Sequence, residues 1–347
     1  MLTSNKKGRP ALLGGLFCAL ALAAPALAEA PSAPLAPKLR DAIAQRLDAR
    51  LEAYAQRKDA IRVGIAAIHL ESGATVSVNG AEAFPMASAY KLAAVLTLLH
   101  QVEQGRFTMT QMIPVDDALR VQSGGISTSM PHAGVSLSVA NLIDLTITRS
   151  DNTAADMVTQ MVGGPQAITA WLKSVGIEGQ RVDRDVAGLI FDYKHLTPEP
   201  GKNQAQTLAR VMSLRDDNPD EPNSALDPAF IADPRDSSTP DAMVALLTKL
   251  QQGKLVNAEH TAWLIDVMAH TVTGAKRVKG LLPPRTVFAH KTGTLVGICA
   301  DVGILTLPGG GHVAIAVFVK SHDDGAKAEA IIAEVGRTIY DGMALLD

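Results

Sequence analysis

Pro85-Met86-Ala87-Ser88-Ala89-Tyr90-Lys91 is followed at once by Leu92, Val95, Leu96 and Leu99. Those four apolar residues recur every three or four positions, the period of one helix face, so the spacing predicts a helix that starts near Ser88. What precedes it is strand-like: Ile61 to Leu70 and Ala74 to Val78 are extended apolar stretches separated by Glu71-Ser72-Gly73, a turn in composition. Further back, Leu39, Ile43, Leu47, Leu51 and Tyr54 mark an opening helix within Lys38 to Gln56. In the other direction the helical period persists to about Val278, with Leu142, Leu145 and Ile147 in one such segment. Strand character then returns in Val287 to His290, Ile298 to Leu307 and His312 to Lys320. Pro308-Gly309-Gly310-Gly311 separates the last two, and Ile332, Val335, Ile339 and Met343 trace a closing helix.

Helix and strands, a helical body, then strands and helix predict an α/β (α+β) fold. One antiparallel sheet is built from both chain ends, covered by the terminal helices and backed by a helical lobe. Residues 29–86 and 287–347 make the sheet lobe and 87–286 the helical lobe, within one domain over 29–347. No internal repeat or linker divides it. One irregular region interrupts the body between Asp185 and Arg235, where Pro198, Pro200, Pro219, Pro222, Pro228 and Pro234 sit among Asp, Asn and Gly. It is too long for an ordinary connection and is a candidate functional loop.

The 347 residues are 47% hydrophobic, with 32 basic and 35 acidic side chains, the balance of a globular protein with a substantial core. At 4% aromatic residues and a net charge of −3, nothing suggests the basic groove or stacking surface that nucleic acid requires. Lys6, Lys7 and Arg9 precede an apolar run from Ala11 to Ala24 and then Ala26-Leu27-Ala28, which reads as a secretory signal peptide over residues 1–28. A membrane anchor is the alternative, but the run is short for a span. Processing there leaves 29 basic against 35 acidic side chains, a mature charge of −6, and places the protein in the periplasm or outside the cell without a stable anchor. Cys18 leaves with the signal, so Cys299 has no disulfide partner and is read as a buried small side chain. A monomer is expected.

Ser88-Ala89-Tyr90-Lys91 places an amine three residues after a hydroxyl at a helix start, where the two share a face. A serine needs a base to become a nucleophile, and a lysine whose charge is disfavoured by its surroundings can accept that proton. Helix N-terminal N–H groups can also stabilise an oxyanion. Alone the motif is weak, since Ser4-Asn5-Lys6-Lys7 matches it too. Ser150-Asp151-Asn152 in the helical body and His290-Lys291-Thr292-Gly293-Thr294 at the end of a predicted strand change its weight. The ordered trio arises by chance in roughly one chain in a thousand.

On Phe84-Pro85-Met86-Ala87-Ser88, Ser150-Asp151-Asn152-Thr153-Ala154-Ala155 and Lys291-Thr292-Gly293-Thr294, the chain resembles the class A serine β-lactamases of the penicillin-recognising superfamily. The resemblance covers nearly all of the chain after residue 28 and implies a β-lactamase/transpeptidase-like fold. It implies that Ser88 is acylated, Lys91 accepts its proton, and Ser150 relays a proton to the leaving lactam nitrogen. Asn152 would hold the substrate's amide side chain, Lys291 with Thr292 its carboxylate, and the N–H groups of Ser88 and Thr294 its oxyanion, beside Gly293. The family's carboxylate-binding arginine has no counterpart at Val302. By resemblance Arg277, in Thr273-Gly274-Ala275-Lys276-Arg277, would arrive from the preceding segment and grip the carboxylate bidentately, the alternative being a solvated charge beside Lys276 and Lys279.

One part departs from the family. Arg181-Val182-Asp183-Arg184 and Arg235-Asp236 resemble the ends of its omega loop, but the central Trp-Glu-Pro-Glu-Leu-Asn run is replaced by Asp185-Val186-Ala187-Gly188-Leu189-Ile190. Register from Arg184 puts Val186 where the deacylating glutamate stands and Ile190 at the asparagine, and neither can hold or deprotonate water. The loop runs 51 residues between Arg184 and Asp236, much longer than in the family. Asp185, Asp192, His195 and Glu199 are the candidate replacement bases, His195 first because its neutral form accepts a proton near pH 7.

Nine histidines show no His-Glu-x-x-His or paired-Cys spacing, so no cofactor is expected, with a divalent metal left open. The acidic run Asp216 to Glu221 reads as a solvated face. The reading is therefore a serine hydrolase that opens β-lactams through an acyl-enzyme on Ser88 and confers antibiotic resistance. Its alternatives are a penicillin-binding or D-alanyl peptidase-like enzyme and a non-hydrolytic acylated sensor.

Overall fold

A computed structural model describes residues 37–123, 125–215, 227–322 and 325–346. The expected signal peptide and the Asp216 to Glu221 run lie outside the described residues. Helix α1 (Pro37–Ala55) leads into strands β1 (Arg62–His69) and β2 (Thr75–Val78), and the chain returns to the same sheet as β3 (Phe288–Leu295), β4 (Ile298–Thr306) and β5 (His312–Lys320). The strand order is β2-β1-β5-β4-β3, antiparallel throughout, so the two ends of the chain meet where Ile65 pairs with Val317.

Both sheet faces are covered, which is why β1, β4 and β5 read as nearly unbroken apolar runs. On one face Val63, Ile65, Ile315 and Val317 pack with Leu47 and Leu51 of α1 and with Ile332, Val335 and Ile339 of the closing helix, Gly325–Met343. Each such side chain, fully buried, stabilises the fold by about 1.5–3 kcal/mol. The other face is built from smaller residues, Ala66, Ala289, Ala300, Ala314 and Ala316, and joins the core of the helical lobe. Small side chains let the lobe approach closely: a Cβ on Gly64 would stand 2.3 Å from the Phe84 ring.

The lobe consists of α2 (Lys91–Glu103), α3 (Val139–Thr148), α4 (Asn152–Met161), α5 (Pro165–Ser174), α6 (Val186–Tyr193), α7 (Gln204–Arg215), α8 (Pro240–Gln251) and α9 (Ala258–Ala269), with shorter turns between them; the closing helix is α10. Helix α2 is the centre of the lobe, with Leu92, Val95, Leu96 and Leu99 all buried.

Two expectations need correction. Strand β3 does not end at His290 but runs on to Leu295, because Lys291, Thr292 and Gly293 stay in the ladder opposite Val302, Asp301 and Ala300. The region from Asp185 to Arg235 is not simply irregular: it contains α6, α7 and a helical turn at Pro228–Ile231. Asp and Pro residues that read as breakers start helices here. Asp185 caps α6 by accepting from Gly188 N–H at 2.7 Å, and Asp227 caps the turn in which Pro228 takes the first position.

Candidate active site

Ser88 sits half-buried in a 3-10 turn, Ala87–Tyr90, that runs directly into α2. Ala87 before it has a φ of +42°, a left-handed conformation that costs a non-glycine residue about 1–3 kcal/mol and is sustained by its surroundings. Those surroundings are tight. Met86 N–H donates to Asp236 O at 2.9 Å, and a Cβ on Gly293 of β3 would stand 2.1 Å from Met86 O. Only glycine lets the strand lie this close to the serine turn.

Lys91 is fully buried at the start of α2. Its Nζ donates to Ser150 O at 2.7 Å, Asn152 Oδ1 at 2.9 Å, Asp151 O at 3.3 Å and Ser150 Oγ at 3.4 Å. Burial lowers its pKa to about 8, against the opposing pull of the Asp156 and Asp151 carboxylates. Ser150, at a φ of +56°, turns the chain between α3 and α4. Its hydroxyl also accepts from Lys291 Nζ at 2.9 Å, so one Oγ lies between two buried amines. Asp151 locks this turn: it caps α4 through Ala154 N–H at 2.7 Å and accepts from Ile126 N–H at 2.7 Å and from Ser123 Oγ at 2.8 Å.

Lys291 is held well below the usual lysine range, first by burial and then by the positive charges of Lys91 and Arg277. Thr292 Oγ1 shares a 2.7 Å hydrogen bond with Thr273 Oγ1. Arg277 reaches the same strand, but it is neither solvated nor free to grip a carboxylate. Its Nη1 donates to Gly293 O at 3.0 Å and Ala300 O at 2.9 Å, its Nη2 to Thr294 Oγ1 at 2.6 Å, and its Nε to Glu329 at 3.2 Å. That engagement leaves no pair of adjacent donors for bidentate binding, so Arg277 shapes β3 instead.

The loop candidates also stand elsewhere than expected. A cavity of about 70 Å³ lies beside Ser88, bounded by Asn152, Thr294, Val186, Leu189 and Ile190, and among the described residues no carboxylate or imidazole lines it. Val186 and Ile190 therefore face the serine with apolar surface. His195 is 74% exposed and lies 3.1 Å from Asp227, and Asp185 is occupied in capping α6. Asp192 pairs with Arg184 and Arg235, and Glu199 with Lys202 and Arg210.

Two features escape a reading of the sequence. Asp156, one turn after Asn152 on α4, is buried and accepts from Val186 N–H at 2.6 Å and Ala187 N–H at 2.9 Å, tying α6 to the site. Burial, then the nearby Asp185 charge, raises its pKa to about 8. The i, i+4 spacing from Asn152 on a mostly buried helix is its signal. Beneath β3, His290 Nδ1 and Asp301 Oδ1 form a fully buried 2.7 Å contact, and Asp301 Oδ2 accepts from Val278 N–H at 3.2 Å. Two polar residues within apolar strands are the signal there.

The family described as the β-lactamase enzyme family matches residues 43–343. The chain belongs to the class A serine β-lactamases. It is 32% identical over 292 residues to the extended-spectrum β-lactamase PER-1 of Pseudomonas aeruginosa, covering 80% of this chain and 81% of that one. It is 26% identical to the carbapenem-hydrolyzing β-lactamase KPC of Klebsiella oxytoca, covering 82% and 84%. Among solved structures, the TLA-1 extended-spectrum β-lactamase superposes with a TM-score of 0.71 at 27% identity, over 87% of this chain and 99% of that one. An ancestral class A β-lactamase gives 0.69 at 29% identity, over 85% and 99%. This β-lactamase has no helix among its described residues long and apolar enough to cross a membrane, and no group of three His, Cys, Asp or Glu there that could hold a metal ion.

Proposed function

We propose that this β-lactamase opens the amide of penicillins, cephalosporins or carbapenems by acylating Ser88, with Lys91 and Ser150 moving the proton. The observation that carries this reading is the Ser150 hydroxyl held between the Lys91 and Lys291 amines, at 3.4 and 2.9 Å. Burial favours the neutral form of Lys91, which can take the Ser88 proton. The Ser88 oxygen bonds to the lactam carbonyl carbon, and the oxyanion is received by the N–H groups of Ser88 and Thr294. As the C–N bond breaks, Lys91 returns the proton through Ser150 Oγ to the leaving nitrogen. Asn152 meets the substrate's amide side chain, and Lys291 with Thr292 its carboxylate.

Release of the acyl group is the slow step, because the wall of Val186, Leu189 and Ile190 offers water no base. The same wall favours a second reading, a penicillin-binding or sensor protein that stays acylated. Residues 1–28 act as an export signal in this proposal, and residues 29–347 work as a monomeric domain in the periplasm or outside the cell.

The deciding experiment incubates the protein with a penicillin and a carbapenem, following lactam loss optically and the Ser88 adduct by intact mass. Multiple turnovers are expected. A persistent stoichiometric adduct favours the second reading, and turnover undiminished in Ser88→Ala overturns both.

A further inference from the structure

We propose that the buried Asp301 carboxylate, held by His290, is the counter-charge that lets Lys291 recognise the substrate's carboxylate, which makes Asp301 and His290 positioning residues for that recognition. This rests on the assignment of Lys291 to the carboxylate in the reading above. Lys291 is fully buried, and the positive charges of Lys91 and Arg277 add to that burial in disfavouring its charged form. An amine in such a setting sheds its proton, and a neutral amine has little hold on an anion.

Asp301 stands on β4 opposite Thr292, one residue along β3 from Lys291. Side chains alternate along a strand, so Asp301 shares a face with His290 and Thr292, and its charge reaches Lys291 through the thickness of β3. Being fully buried, it is little screened by solvent. Among the charges that bear on Lys291, Lys91 of α2 and Arg277 oppose its proton and Asp301 favours it, while Arg277 is itself paired with Glu329 of α10.

The contacts of Asp301 suit an ionised carboxylate. One oxygen accepts from His290 Nδ1–H at 2.7 Å and the other from Val278 N–H at 3.2 Å, so both partners are donors. An asparagine accepts with one atom only and turns an NH2 toward the other donor. His290 stacks on Phe288 with ring centroids 4.6 Å apart, and its Nε2 is buried without a hydrogen-bond partner among the described residues. A neutral ring, donating its single N–H to Asp301, fits this place; an imidazolium would bury a second N–H without an acceptor. The pair therefore keeps a net negative charge beneath β3.

The test measures calorimetric binding of benzylpenicillin and of its carboxamide, a neutral analogue of the same shape, to the Ser88→Ala protein between about pH 5 and pH 9. This parent should prefer the acid by at least about tenfold, and the preference should fall as rising pH takes the proton from Lys291. Adding Asp301→Asn should bring that fall about one pH unit lower, with carboxamide binding unchanged. A fall at the parent's pH, or a loss shared equally by both ligands, overturns the counter-charge and leaves Asp301 a structural anchor. His290→Asn keeps a side-chain N–H near the Nδ1 position and should retain the parent profile. His290→Leu leaves Asp301 one donor fewer and should move the fall in the same direction as Asp301→Asn; it carries the test if Asp301→Asn does not fold, and an unmoved profile there overturns the proposal. A parent that binds both ligands equally at every pH removes Lys291 from carboxylate recognition, and the counter-charge with it.

Discussion

The two sides of Ser88 differ in kind. Toward α4 and β3, the buried Lys91 and Lys291 amines and the half-buried Ser150 hydroxyl form a hydrogen-bonded set with both amines pushed toward neutrality. Toward α6, the facing residues are Val186, Leu189 and Ile190. Making an acyl-enzyme and breaking it need different equipment, and among the described residues beside Ser88 only the first side carries proton-accepting side chains. The largest test of this contrast is Lys91→Ala, which removes the proposed base and leaves Ser150 O and Asn152 Oδ1 without the Lys91 donor. Acylation, measured by the rate of adduct formation, should fall about 10²–10⁴-fold.

Val186→Glu attacks the contrast from the other side by placing a carboxylate on the apolar wall. Release of the acyl group should accelerate about 10²-fold with acylation little changed, read by the decay of the adduct after excess penicillin is removed. Unchanged decay would mean that something other than the missing base limits release.

The third test is pH dependence. In the proposed acylation neutral Lys91 is the active form, so the rate should rise about tenfold per pH unit up to about pH 8 and then level off. Asp156 and Lys91 titrate as a pair, the carboxylate favouring the lysine's proton. In Asp156→Asn that support for the lysine's proton is lost and the rising limb should move to lower pH. Loss of rate without that movement would leave Asp156 a purely structural anchor for α6.

What is legible in the sequence is local. The sheet can be read from unbroken apolar runs, and the catalytic set from three short motifs whose spacing is a matter of neighbouring residues. What escapes depends on contacts across the fold. Arg277 is consumed by partners 16 to 52 residues away, and nothing in its own neighbourhood announces them. Asp156 acquires its role only because α6 packs against α4, 30 residues on. The prolines between Asp185 and Arg235 read as breakers, although a proline fits the first turn of a helix, as Pro228 does.

The smallest effect expected concerns His195 and Asp185. An exposed His195 paired with Asp227 resembles a surface ion pair, whose loss costs about 0–1 kcal/mol, and it does not line the cavity beside Ser88. His195→Ala should therefore leave both acylation and release unchanged. Asp185→Ala removes the cap of α6 and should cost about 1 kcal/mol of stability, measured by denaturant unfolding. Because α6 carries the wall, this variant should loosen the cavity without removing a base. A release rate that fell about 10²-fold in either variant would put a proton acceptor on the α6 side and end the contrast between the two halves of the site.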